Sequence, residues 1–293
     1  TELLGAILAT SFIVASGLAK SVGKFLIADW NVPEMWMPFY AGLVFAVPLL
    51  LGCFLLSKIP PPTADDISSR SERSAMRAAD RRAVMKRFGL GLFMLIIVYI
   101  LLTIIRDFRD NFMVEMWKEQ GYEDAGILTT AELPIAAAVL AFIGLLFLVK
   151  NNMNAFRLNL WMIASGCALA GISGMLFRND FISPFVWMVS TGFGLYLGYI
   201  VFNIMLFERM IAAFKMKGNI GFLIYLADAF GYLGSAGVMI YKDFGNPLNS
   251  YSGFFETVCY ISAVAAPILI IFAERFFVNK SKTEQANSTP VLN

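Results

Sequence analysis

The stretch IIRDFRDNFMVEMW, residues 104–117, sets Arg106, Asp107, Arg109 and Asp110 within five positions, directly after one of the most apolar runs in the chain. Charges of both signs at this spacing suit one of two settings. They mark the wet outer end of a membrane helix, or they form a stripe inside the protein that contacts a solute or gates a pathway. Such a stripe would neutralise itself along one helix, because Arg106 and Asp110 are i, i+4 neighbours, as are Asp107 and Asn111. Counted from Phe88, Arg106 is 18 residues along a helix, about 27 Å at 1.5 Å per residue, which places the cluster at the outer interface. The apolar residues resume at Phe112, Met113, Val114, Met116 and Trp117, so a long tilted helix would instead hold it in the protein's outer half.

Other polar groups lie deeper in apolar sequence. Asp228 is eight residues past Ile220 and thirteen before Tyr241, close to mid-membrane. It reads as a proton-coupling or cation-binding carboxylate, or as a structural acid paired with a lysine or hydroxyl. Lys20 and Lys24, one turn apart, either snorkel to the outer interface or meet an anionic solute or Asp228. Tyr199 and Asn203, i and i+4, are candidate cavity donors. Gly192, Gly194 and Gly198 beside them, and Gly231, Gly234 and Gly237 further on, read as close helix packing. Glu132 falls three residues after Thr129, the spacing of a helix capping box.

Several chemistries are excluded or disfavoured. Histidine is absent, which removes imidazole metal sites and proton relays. Cys53, Cys167 and Cys259 each sit alone in an apolar run and read as packing residues. The chain has no Walker loop, no G-x-S-x-G and no metal-spaced acids, so no enzymatic activity, metal or cofactor is expected, and no nucleic-acid partner.

The elements that carry these residues follow from composition. At 58% hydrophobic and 15% charged residues, with mean hydropathy +0.69, the chain belongs in a lipid bilayer. Runs of about 20 mainly apolar residues give eight spans: Leu3–Ala28, Met35–Leu56, Gly89–Phe108 or beyond, Leu128–Val149, Leu158–Phe177, Phe185–Phe207, Ile220–Tyr241 and Phe254–Ala273. Unbroken runs favour helices over a barrel, so the fold class is all-α, a polytopic membrane helix bundle. The chain starts at Thr1 inside apolar sequence with no signal-peptide pattern, and we expect it to lack its front.

Lysine and arginine set the orientation. Sixteen lie in the segment 58–87, the loops near Lys150 and Arg157 and from Arg209 to Lys217, and the tail; the opposite side has Arg106, Arg109, Lys118, Arg178 and Lys242. The positive-inside rule makes the first side and both chain ends cytoplasmic. Residues 1–57 then hold two helices, 58–87 a basic linker, with a surface helix expected over Ser68 to Lys86, 88–278 six helices, and 279–293 a disordered tail. An internal echo, LAKSVGK at Leu18–Lys24 against LADAFGY at Leu226–Tyr232, suggests a duplicated six-helix unit whose first four helices are missing.

Two six-helix halves joined by a long basic cytoplasmic loop resemble the major facilitator superfamily. The segments TELLGAILATSFIVASGLAKSVGK, LLSKIPPPTADD, RDFRDNFMVEMW and NIMLFERMIAAF look like an uncharacterised bacterial inner-membrane family of that kind, over essentially the whole chain. The resemblance implies a secondary transporter in the inner membrane for a small polar or charged solute, with H+ as a candidate coupling ion. It also implies that the span from Gly89 lines the cavity and that the protein with four further helices is the transporting form. The alternative is a receptor or scaffold that kept the fold and lost transport. The loop VKNNMNAFRLN lacks the superfamily's G-x-x-x-D-x-x-G-R-[RK] pattern, and SGLAKSVGKFL lacks the Gly-Pro of antiporters, which speaks against drug antiport.

Overall fold

In lipid every backbone N–H and C=O has to be satisfied within its own segment, and apolar runs of membrane length therefore coil into helices. The computed structural model describes residues 2–63, 76–146, 148–216, 219–245 and 250–288. Its helices are α1 (Glu2–Ala28), α2 (Met37–Ser57), α3 (Ala78–Glu119), α4 (Gly126–Leu146), α5 (Asn152–Arg178), α6 (Pro184–Val201), α7 (Phe207–Ala213), α8 (Ile220–Phe244) and α9 (Tyr251–Ser288), with a π-turn at Phe202–Leu206 joining α6 to α7. No strand occurs among the described residues. With α6, the π-turn and α7 counted as one span, eight helices among the described residues are long and apolar enough to cross a membrane. The chain is an all-α polytopic membrane bundle.

Polar side chains start several of these helices. Asn151, Ser183 and Asn219 accept from the backbone N–H of Asn154, Val186 and Gly221, filling donors that a helix N-terminus leaves open. Pro184 opens α6 where no N–H is needed. Thr129 and Glu132 do not form a capping box: α4 begins at Gly126, a turn earlier, and both side chains point into helix contacts instead. The first and last turns of the bundle also run beyond the apolar windows. Ala78–Arg87, assigned above to the linker, is the start of α3, and α9 continues past 279 to Ser288. Charged, good helix-forming residues prolong a helix into water, and Arg87 on α3 grips Glu284 on α9 at 2.8 and 2.6 Å across that extension. The remainder of the expected surface helix, from Ser68, lies outside the described residues up to Ser74 and Ala75.

α3 is the central strut. It packs on α8 and α9, while α5 packs on α6 and α9, and α4 on α6. Small residues let the backbones approach. A Cβ on Gly166 would lie 2.3 Å from the carbonyl oxygen of Gly194, and one on Gly194 2.4 Å from that of Gly166, so α5 and α6 touch backbone to backbone. Gly198 faces Leu102 and Ile163, Gly231 faces Tyr99 and Thr103, and Gly234 faces Ile100, as packing glycines should. Gly237 departs from that expectation, with nothing near it.

α1 sits against α4 through the buried face of Thr10, Ile13, Gly17 and Leu26, and α2 packs on α1 without burying any residue of its own. At the far end Glu119 on α3 caps α9, accepting from the backbone N–H of Tyr251 and Ser252, each at 2.8 Å, and from Ser250 Oγ at 3.0 Å. Glu119→Ala is expected to cost about 1 kcal/mol, as loss of a helix cap does. Hydrogen exchange at the Tyr251 and Ser252 amides should rise in that variant; unchanged exchange would show that the cap holds nothing.

Candidate functional site

The charged stripe of α3 is inside the protein, since Arg106 is 7% exposed and Arg109 0%. α3 continues thirteen residues past Arg106, bending at Phe112, whose backbone leaves helical angles (φ −117°, ψ 18°). The wet-end setting is therefore excluded for the arginines.

The expected i, i+4 pairing of Arg106 with Asp110 does not occur, although Arg106 finds a partner on the same helix. Arg106 binds its neighbour Asp107, with Nε and Nη2 donating to the same carboxylate oxygen at 2.8 and 2.5 Å. Asp110 instead reaches α1, where Lys20 Nζ donates to its Oδ1 at 3.0 Å, and Tyr196 on α6 donates to the same oxygen at 3.0 Å. Asn111 donates to the backbone carbonyl of Asp107 at 2.7 Å rather than to its side chain. Neighbouring helices offer closer and better-oriented partners than an i+4 residue, whose reach is fixed by the helix pitch. Lys20 thus pairs with Asp110 and not with Asp228.

Arg109 forms the most enclosed ion pair, Nη1 to Glu132 Oε1 at 2.7 Å, with both side chains 0% exposed. The pair is close but poorly aligned, for none of the Arg109 nitrogens or Glu132 oxygens makes a directed hydrogen bond. Two glycines make room for it: a Cβ on Gly17 would sit 2.8 Å from Glu132 Cγ, and one on Gly192 2.9 Å from Arg109 Nη2. Next to it Ser21 on α1 hydrogen-bonds to Thr129 at 2.6 Å and to the carbonyl of Ala125 at 2.9 Å. The seam between α1 and the rest of the bundle is therefore polar.

One layer away, Tyr99 on α3 organises a second cluster. Its hydroxyl lies 2.5 Å from Asp228 Oδ1 on α8, 3.1 Å from Asn203 Nδ2 and 3.3 Å from the Tyr199 hydroxyl. A phenol has one hydrogen. Asp228 Oδ1 is its nearest acceptor, and the phenol oxygen accepts from Asn203 Nδ2. Asn203 lies in the π-turn, a rare helix irregularity concentrated at functional sites, which turns its amide toward Tyr99.

Arg106 bridges the two layers. Its guanidinium stacks over Tyr199 at 4.3 Å and over Tyr232 at 5.6 Å from the ring centres. Arg106, Tyr196, Tyr199, Asn203 and Tyr232 open onto a cavity of about 510 Å³ whose remaining wall is apolar, with Leu8, Phe12 and Ile13 contributed by α1. Lys20 and Lys24 line a separate, larger cavity of about 840 Å³ with Lys118, Glu34 and Glu123. The structure therefore gathers Arg106, Tyr199 and Asn203 around one space. Asp228 lies behind it through Tyr99, Asp110 adjoins it through Tyr196, and Lys24 stands apart.

Sequence reading overlooked Tyr99, Tyr232 and Glu132. Tyr99 is seven residues before Arg106 and Tyr232 four after Asp228, on the same helix faces, so spacing from the charged residues would have found them. Glu132 is an acid inside a span, itself a functional flag in lipid. No metal-binding group of three or more Cys, Asp or Glu occurs among the described residues.

A family model described as a family of unknown function (DUF5690) matches residues 1–280. The chain belongs to that family. No curated protein and no solved structure matches it.

Proposed function

We propose that the protein is a secondary transporter, of the major facilitator type in its overall plan, that moves a small polar or charged solute across a bacterial inner membrane in a proton-coupled cycle. The chain ends lie on the cytoplasmic side in this reading, and the function is transport rather than catalysis. One observation carries it. Three acids of the site each have a cation within ion-pair distance: Asp107 has Arg106, Asp110 has Lys20 and Glu132 has Arg109. Asp228, eight residues into a membrane-length helix, has none among the described residues and faces only the Tyr99 hydroxyl. An acid inside a membrane-length helix with no cation at ion-pair distance is a functional flag, and we take it as the site of the coupling proton. The cavity beside it supplies room for a solute, and Arg106, Tyr199 and Asn203 supply its polar contacts.

The test is solute-driven proton flux. Proteoliposomes containing the protein and an internal pH dye, exposed to a panel of organic acids, amines, amino acids and sugars, should change internal pH with at least one class. Asp228→Asn should reduce that signal to the protein-free background while the variant still inserts and folds. If no solute moves protons through the parent protein, the reading falls, and a receptor or scaffold on the same bundle takes its place.

A further inference from the structure

Resting on the transport reading above, we propose that the cavity beside Arg106 takes a small organic monocarboxylate with an apolar body, its carboxylate held by the Arg106 guanidinium. Among the described residues that line the cavity, Arg106 is the sole charged side chain. Asp107, Asp110 and Asp228 stand behind the wall, and Arg109 and Lys20 are spent on other partners. A ligand therefore meets the Arg106 guanidinium, which keeps donors beyond those it gives Asp107, as the one cationic group of the described lining.

The form of that charge selects the anion. Asp107 engages Nε and Nη2 on one oxygen, and a guanidinium has five N–H donors, so the rest of the fork stays available for a planar, two-oxygen acceptor. Asp107 already offsets the Arg106 charge, so the guanidinium acts on a ligand through its remaining donors and suits a monoanion; a phosphate dianion would need a second cation, and none is among the described lining residues. An ammonium ligand fits poorly for two reasons: Arg106 repels it, and the rings of Tyr199 and Tyr232, the natural cation partners, are already occupied by the guanidinium. A sugar fits no better, because Leu8, Phe12, Ile13, Ile200 and Ile204 make most of the wall apolar and would strand its hydroxyls. The Asn203 side-chain oxygen leaves an acceptor for a second, uncharged group on the ligand. The volume, about 510 Å³, lies in the range of small-molecule sites.

Such a ligand has two sources, water or the bilayer, and its carboxylate chemistry is the same in both. The experiment is calorimetric and thermal-shift titration of the complete protein in nanodiscs with hexanoate, hexanol and hexylammonium, and with laurate as the lipid-borne form. Hexanoate is expected to bind at least tenfold more tightly than hexanol and to raise the melting temperature, with no binding of hexylammonium. Arg106→Gln should weaken hexanoate at least tenfold and leave hexanol unchanged, which also shows that the cavity survives the substitution. Ile204→Trp, filling the cavity with Arg106 intact, should abolish binding of both. Laurate tighter than hexanoate through Arg106 identifies the bilayer as the source, and the reverse order identifies water; either supports the assignment. Equal binding of hexanol or hexylammonium, or hexanoate binding indifferent to Arg106→Gln and Ile204→Trp, would overturn it. Hexylammonium binding that accompanies proton flux would leave transport standing without this substrate class, and Arg106-dependent hexanoate binding without any proton flux would leave the site standing without transport.

Discussion

Glu132→Gln is expected to lower the stability of the bundle by about 3–5 kcal/mol, the cost of leaving one partner of a buried ion pair uncompensated. Arg109 has no exposure and no second acid within ion-pair distance among the described residues, so loss of the Glu132 charge leaves a fully buried guanidinium without an ion-pair partner. The surroundings cannot relax around it. Gly17 presses on Glu132 and Gly192 on Arg109, and the latter sits under Tyr196, 5.6 Å from its ring centre. Thermal unfolding of the purified variant measures the loss. Replacing both residues, Arg109→Met with Glu132→Leu, should recover most of it, because a buried pair is worth little against well-packed apolar residues of similar size. A single variant as stable as the parent would mean that water or lipid headgroups reach Arg109, against its complete burial. A double variant that regains stability but not transport would give the pair a role in the cycle as well as in folding.

That ion pair also marks where sequence reading stops. All eight spans were legible, because twenty apolar residues in a row have one stable form in lipid. The small residues of α6 were legible as packing, and Gly166 against Gly194 shows why. Arg106, Tyr199 and Asn203 were legible as candidates, since polar groups in apolar helices have few bland explanations. Pairing was not legible. Arg109 with Glu132 and Lys20 with Asp110 join residues 23 and 90 positions apart, and nothing in one chain's spacing says which helices become neighbours. Glu132 suffered most, because a local pattern, three residues after a threonine, offered an explanation that needed no third dimension. Tyr99 was hidden differently: a tyrosine in an apolar helix is ordinary until an acid is found 2.5 Å away.

Lys20 and Asp110 carry the second large effect. They join α1 to α3 at 3.0 Å in the same layer where Ser21 joins α1 to Thr129 and Ala125, so the polar seam between α1 and the remaining bundle closes at one level. Alternating access by rocking of one group of helices against another needs such a seam to open and reclose around a fixed site. Both partners are about one-fifth exposed, so the pair is less enclosed and its separation costs less than separating Arg109 from Glu132. The pair is thus suited to breaking in each cycle, while the deeper pair stays closed. With Cys53, Cys167 and Cys259 replaced by alanine, the variant Lys20→Cys, Asp110→Cys should transport while reduced, fall to background when a short thiol cross-linker spans the two positions, and recover on cleavage of the linker. The single-cysteine variants, treated alike, should keep their activity. Full transport by the cross-linked protein would show that α1 and α3 move as one body, and the seam that opens would then have to lie elsewhere in the bundle.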